Sequence, residues 1–64
     1  GPRTRDRVAM RILDGKTCQQ IEDELGVSTS TIHQWIRRGR LGNPKYEPIA
    51  RAMDQSPETR GRKP

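Results

Sequence analysis

The sequence has few large apolar residues: among its 64 residues there is no Phe, one Trp and one Tyr. No uninterrupted run of apolar residues is longer than three. A chain of this length buries only a small core, which excludes an enclosed substrate cleft and two packed sheets. The short apolar runs also exclude a transmembrane segment and the apolar region of a signal peptide within this sequence.

Metal-binding and redox residues are equally scarce, because the chain contains one Cys and one His. A single cysteine forms no internal disulfide, and no Cys/His cluster is available for zinc. We therefore expect no metal, no cofactor and a reducing cytoplasmic compartment. No residues pair a nucleophile with a base, so we expect no enzymatic activity here, although a longer parent protein could carry a catalytic domain elsewhere. Cys18 is expected to pack in the core.

Charge of one sign predominates: 13 Lys and Arg stand against 8 Asp and Glu, giving a net charge of +5. Ten of the 13 cations are Arg, the residue best suited to phosphates and base edges. The stretch from Leu25 to Tyr46 contains no acid at all. This balance favours nucleic acid as the partner over a membrane surface.

Capping residues predict short helices in the first half of the chain. Thr4 is expected to cap a first helix that ends at Gly15, with an apolar face formed by Val8, Ala9, Ile12 and Leu13. Thr17 and Gln20 form a capping box that opens a second helix, and Gly26 is expected to end it.

The second half of the chain continues in the same way. Ser28 is expected to cap a third helix, over residues 28–38, that ends before Gly39. A short fourth helix follows, with Pro48 in its first turn and an apolar side formed by Ile49, Ala52 and Met53. No segment alternates in the manner of a strand, so the sequence predicts an all-α fold.

Residues 18–35 resemble the helix-turn-helix DNA-binding family. The family's five apolar positions are matched by Ile21, Leu25, Val27, Ile32 and Trp35. The resemblance implies a core in which Trp35 is packed and the third helix enters the major groove of double-stranded DNA. The family prefers a small residue where Glu22 stands, so Glu22 must lean out of the seam or the helices cross more widely.

The resemblance extends less specifically beyond this motif. Residues 35–46 are similar to the homeodomain-like domains of phage small terminase subunits, transposases and resolvases. Residues 49–53, followed by Ser56-Pro57-Glu58, also resemble the last helix of Cro-type and Ner-type phage repressors. Packaging, recombination and repression in a bacterial cell or phage-infected host therefore remain alternatives, as does a protein-interaction module. In each DNA-binding case we expect the chain to act within a larger or oligomeric protein.

The resemblance and the chemistry of the side chains together predict two groups of DNA contacts. Bases are expected to be read by the outward face of the third helix, at Thr29, Ser30, His33, Gln34 and Arg37. Phosphates are expected to be bound by Thr17, Gln19, Ser28, Thr31, Arg38, Arg40 and Lys45.

The two ends of the chain are expected to lie outside the domain. Gly1-Pro2 resembles the remnant of a cleaved tag, residues 3–54 form the DNA-binding domain, and residues 55–64 form a flexible, disordered basic tail. The tail resembles an AT-hook, although Lys63 separates the second arginine from the proline. Minor-groove contacts and a generic basic tail both remain open for Arg60, Arg62 and Lys63.

Overall fold

The computed structural model describes residues 3–56, and all regular structure in that range is helical. The helices are α1 (Thr4–Leu13), α2 (Cys18–Leu25), α3 (Thr29–Arg40) and α4 (Glu47–Gln55). The expected all-α fold, a three-helix core with a short fourth helix, is confirmed. Gly1-Pro2 and the basic segment containing Arg60, Arg62 and Lys63 lie outside the described residues.

One hydrophobic core holds the helices together. Helix α4 packs against both α1 and α3, while α2 contacts α1 and α3. Each helix contributes one face, and the buried cluster consists of Val8, Ala9, Ile12, Ile21, Ile32, Ile36, Tyr46, Ile49 and Ala52. Partly buried side chains cover its edges, namely Cys18, Leu25, Val27, Trp35 and Met53. Burial of these aliphatic faces is the main favourable term available to so small a domain.

The predicted caps of α2 and α3 are confirmed. The Thr17 hydroxyl accepts from the Gln20 backbone N–H at 3.1 Å, and the Gln20 side-chain oxygen accepts from the Thr17 N–H at 2.9 Å. The Ser28 hydroxyl accepts from the Thr31 N–H at 3.1 Å. These bonds satisfy amide groups that have no partner inside the helix.

The prediction for the start of α1 is wrong by one residue. Arg3, in extended conformation, is the N-cap, and no side chain caps this end. The Arg3 carbonyl accepts the first helical bond from the Arg7 N–H at 3.0 Å, so Thr4 already has helical geometry and its hydroxyl lies past the capping position.

The expected apolar face of α1 is also too wide. Leu13 is 45% exposed, whereas Ile12 beside it is 1% exposed. Successive helical residues point in directions about 100° apart, so the face that buries Val8 and Ile12 leaves Leu13 at its margin. The predicted end of α1 is confirmed, because Gly15 takes a positive φ of 87°.

The predicted end of α3 is wrong, because the helix runs through Gly39 to Arg40. Gly39 is a buried helical residue at the contact with α4. Termination occurs at Gly42, whose φ is 101°. The N–H groups of Gly42 and Asn43 bind the carbonyls of Gly39 and Arg38, respectively, at 3.1 and 3.0 Å, which is the Schellman pattern.

Helix α4 begins as expected, with Pro48 as its second residue. A proline there costs no hydrogen bond, because that N–H has no helical partner. The helix continues to Gln55, and Ser56 after it is 2% exposed. Ordered, packed structure therefore extends two residues past position 54, where the domain boundary was expected.

Candidate nucleic-acid interface

Helix α3 presents one buried face and one exposed face. Ile32 and Ile36 are 0% and 6% exposed and anchor the helix in the core. The side chains predicted to read bases lie on the remaining surface: Thr29 is half-buried, while Ser30, His33, Gln34 and Arg37 are exposed. The exposed face is polar or basic throughout, as a helix that enters a major groove requires.

The turn before α3 sets the orientation of that helix. Gly26 has a φ of 73°, and its N–H binds the Glu22 carbonyl at 2.8 Å. Val27 then packs against the core, and Ser28 caps α3. A three-residue reversal of this kind is the turn of a helix-turn-helix motif. Glu22, the unusual residue at the seam, is half-buried, and its carboxylate accepts from the Gln19 amide at 3.5 Å, within α2.

The N-terminus of α2 lies beside the middle of α3. The Cys18 sulfur is 3.7 Å from Nε2 of His33. Cys18 packs at the edge of the core as expected. Its contact with His33 could not be predicted from the sequence, because the two residues are 15 positions apart. This contact brings Thr17 and Gln19, two predicted phosphate-binding residues, to the same edge as the exposed face of α3.

The cations at the C-terminal half of α3 differ in their surroundings. Arg37, Arg38 and Lys45 are exposed and form no ion pair within residues 3–56. Arg40, in contrast, binds Asp54 of α4 at 3.1 Å. This acid lies outside the acid-free stretch and reaches it only through the packing of α4 on α3. A surface groove here is lined by His33, Ile36, Arg37, Arg40 and Leu41.

Several of the predicted phosphate-binding side chains already have intramolecular partners. The Ser28 hydroxyl donates to the Thr31 hydroxyl at 2.9 Å, which leaves the Thr31 proton available to a phosphate. The Thr17 hydroxyl accepts from a backbone N–H and retains its own proton. The Gln19 amide nitrogen donates to Asp23 at 3.3 Å as well as to Glu22. Gln19 therefore lies close to two carboxylates, which repel a phosphate.

Trp35 is half-buried, packs against the core and stacks on Tyr46, with ring centroids 5.8 Å apart and planes inclined by 22°. Two guanidinium groups, those of Arg38 and Arg5, lie 5.8 Å from the centroid of the Tyr46 ring. Arg5 was not among the predicted site residues. A cation in the first turn of a helix is unfavourable with the helix dipole, so the position of Arg5 in the sequence could have indicated a role outside helix stability.

Glu24, the last acid of α2, lies at the junction with α1. Glu24 binds Arg11 of α1 at 2.8 Å and Lys16 at 3.1 Å. The hydrogen bond from Lys16, followed by that from Arg11, holds the pKa of Glu24 below its ordinary value of 4.5. One carboxylate thus binds two cations at the α1–α2 junction.

Two further properties of the described residues bear on the type of site. Within residues 3–56, no group of three or more His, Cys, Asp or Glu side chains could hold a metal ion. None of the helices in that range has the length and apolar character needed to cross a membrane.

Comparison with known proteins identifies the family. The family model described as sigma-70, region 4 matches residues 2–41, which is more than half of the chain and includes α1, α2 and α3. Searches of curated proteins and of solved structures gave no match. Region 4 is a helix-turn-helix domain that binds DNA and has no catalytic role of its own. This chain therefore belongs to the sigma-70 region 4 family of helix-turn-helix DNA-binding domains.

Proposed function

We propose that the chain recognises a specific sequence in double-stranded DNA by inserting α3 into the major groove. The observation that carries the proposal is the exposed face of α3, which bears polar and basic side chains only, on a helix anchored by Ile32 and Ile36. A helix fits the major groove, which is about 12 Å wide, and there each base pair displays a distinct pattern of donors and acceptors.

The five base-reading candidates divide according to their chemistry. Gln34 is suited to a bidentate pair with adenine, and Arg37 to one with guanine. Thr29 and Ser30, at the N-terminal end of α3, would contact a phosphate or a thymine methyl group. His33 has one ring nitrogen beside Cys18, so its contact with a base would use the other edge of the ring.

Phosphate contacts on both sides of the groove would fix the register of α3. Arg38 and Lys45 have no carboxylate partner within the described residues and are the strongest candidates. Arg40 would exchange Asp54 for a phosphate, at the cost of an exposed ion pair. The remaining proposed contacts come from the helix starts, at Thr17, Ser28 and Thr31. Gln19 would bind a phosphate only after its amide leaves the Glu22 and Asp23 carboxylates.

Two substitutions separate base reading from phosphate binding. A preferred duplex is first selected from a random library, and binding to it and to a scrambled duplex is then measured by fluorescence anisotropy. Gln34→Ala should cost about 1–3 kcal/mol on the selected duplex and little on the scrambled one. Arg38→Ala should weaken both about equally and lower the salt slope by about one.

Gln55→Ala, at the exposed end of α4, is the matched control for Gln34→Ala and should leave both affinities unchanged. Equal losses on the two duplexes for Gln34→Ala would remove Gln34 from the base-reading set. If the parent chain binds no duplex, or binds duplexes with an affinity that hardly depends on salt, a protein-interaction module is favoured instead.

For the biological process, we propose DNA recognition by a phage or mobile-element protein of the small terminase, recombinase or transposase type. The support is the resemblance of residues 35–46; the family match, over residues 2–41, favours none of these processes specifically. Mapping the selected sequence in the source genome tests the proposal. A position at a packaging site or element end supports it, whereas sites confined to promoters favour a Cro-like or Ner-like regulator.

A further inference from the structure

We propose that Arg5 is a DNA-phosphate-binding residue that acts together with Arg38, and that the Tyr46 ring positions both guanidinium groups. The proposal rests on the insertion of α3 into the major groove, since Arg38 belongs to that helix. It adds α1 to the DNA-binding surface.

The two cations lie close enough together to act on one strand. The Cζ atoms of Arg5 and Arg38 are both 5.8 Å from the centroid of the Tyr46 ring, so they are no more than twice that distance apart. Each strand of DNA carries one phosphate per about 3.4 Å of helix axis. The two groups can therefore bind phosphates only a few nucleotides apart.

The Tyr46 ring that both groups approach is a rigid platform. Tyr46 is 9% exposed, and its ring stacks on Trp35 of α3. The Tyr46 carbonyl also accepts from the N–H groups of Ile49 and Ala50, at 3.0 and 3.2 Å, at the start of α4. A guanidinium attracted to an aromatic ring keeps N–H donors available for a phosphate. The ring thus reduces the freedom of two long side chains before DNA arrives.

The charge environment of this pair is unlike that of the paired cations of the domain. Glu24 binds both Arg11 and Lys16. Asp54 binds Arg40, and Glu47 binds Arg51. Within residues 3–56, neither Arg5 nor Arg38 forms such a pair. Arg5 also lies in the first turn of α1, where the helix dipole disfavours a cation. Two uncompensated guanidinium groups close to one aromatic ring are suited to a polyanion.

The test compares Arg5→Gln with Arg7→Gln, which removes the same charge from an exposed position of the same helix. Affinity for a scrambled duplex is measured from low to physiological salt. Arg5→Gln should weaken binding several-fold and lower the salt slope by about one, whereas Arg7→Gln should leave the slope near that of the parent. Arg5→Lys, which keeps the charge, should restore most of the slope.

The melting temperature distinguishes a purely structural role of Arg5 from a role in DNA binding. If Arg5→Gln lowers the melting temperature but keeps the parental salt slope at a temperature where both chains are folded, the proposal is overturned. It is also overturned if Arg5→Gln and Arg7→Gln behave alike.

In both of those cases, continued discrimination between duplexes through Gln34 would leave the proposed function intact. Absence of parental DNA binding would instead overturn the two proposals together. Tyr46→Phe, which retains the ring, should bind DNA like the parent.

Discussion

At the scale of single residues, Gly39 decides how closely α3 and α4 approach. A Cβ atom added to Gly39 would lie 2.4 Å from the Tyr46 carbonyl oxygen and 2.8 Å from the Ala50 Cβ. The first of these neighbours is backbone, so it cannot move without shifting the start of α4. The same approach carries Tyr46 to its place against Trp35, which links this packing contact to the proposed phosphate-binding pair.

We therefore predict that Gly39→Ala destabilises the domain by about 1–3 kcal/mol, the usual cost of overpacking a filled contact. Helix propensity alone predicts the opposite sign, by about 1 kcal/mol. Thermal or urea unfolding followed by circular dichroism measures the difference. Ala50→Gly should destabilise the Gly39→Ala variant less than it destabilises the parent, because in that variant it also removes the 2.8 Å contact, although it leaves the backbone clash. A Gly39→Ala variant more stable than its parent would show that the helices have room to separate.

At the scale of helices, α1 and α2 are joined by a charged cluster as well as by apolar contact. Glu24 of α2 binds Arg11 of α1 and Lys16 of the intervening turn. All three side chains are partly exposed, so the cluster makes only a small contribution to stability.

The pH dependence of this cluster has a definite sign. Because the folded state holds the pKa of Glu24 below 4.5, the unfolded chain binds the proton more readily. The stabilisation is present above pH 4.5 and is lost as the pH falls through the lower, folded value. Glu24→Gln should therefore lower the melting temperature slightly at pH 7 and make little difference well below pH 4.

The matched control is Glu47→Gln, which breaks an ion pair within α4 instead of one between helices. It should leave the contact between α1 and α2 unaffected. If Glu24→Gln changes the melting temperature as much at pH 3 as at pH 7, the ionised Glu24 carboxylate is not the source of the stabilisation. High salt should reduce the effect at pH 7, since exposed charges are screened.

At the scale of the whole molecule, the domain is small and presents one recognition helix. Its described residues measure 34 × 26 × 21 Å, and α3 has 12 residues. Affinities of about 10⁻⁸–10⁻¹¹ M are typical of specific complexes, which usually involve larger or dimeric readers. We therefore propose that the domain acts within a larger or oligomeric protein, where linkage raises the effective concentration of each module.

Removal of residues 59–64 should weaken DNA binding several-fold at low salt without changing the preferred sequence. The deletion removes three cations and no acid, so it should lower the salt slope by up to about three. The matched control keeps the chain length and replaces Arg60, Arg62 and Lys63 by Gln, which should have the same effect. A larger loss on duplexes with A·T flanks than with G·C flanks supports an AT-hook. Equal losses support a generic basic tail, and no loss contradicts both.

Part of the structure of this protein can be predicted from local sequence alone. The caps at Thr17 and Ser28, the glycine turns at Gly15 and Gly26 and the position of Pro48 each depend on residues within about one helical turn of each other. Helical spacing of apolar residues identified most of the core for the same reason. These signals were sufficient for the number of helices, the all-α fold and the outward face of α3.

Only the tertiary structure decided the contacts between helices. Gly39 resembled a helix end in sequence, but the approach of α4 makes it a packing residue inside α3. The pairing of Arg40 with Asp54 spans 14 residues, and the contact of Cys18 with His33 spans 15. Arg5 and Tyr46 are likewise far apart in sequence and meet only in the folded domain. Such contacts depend on the distances and angles at which helices cross, and those are set by the whole core at once, not by any local pattern of residues.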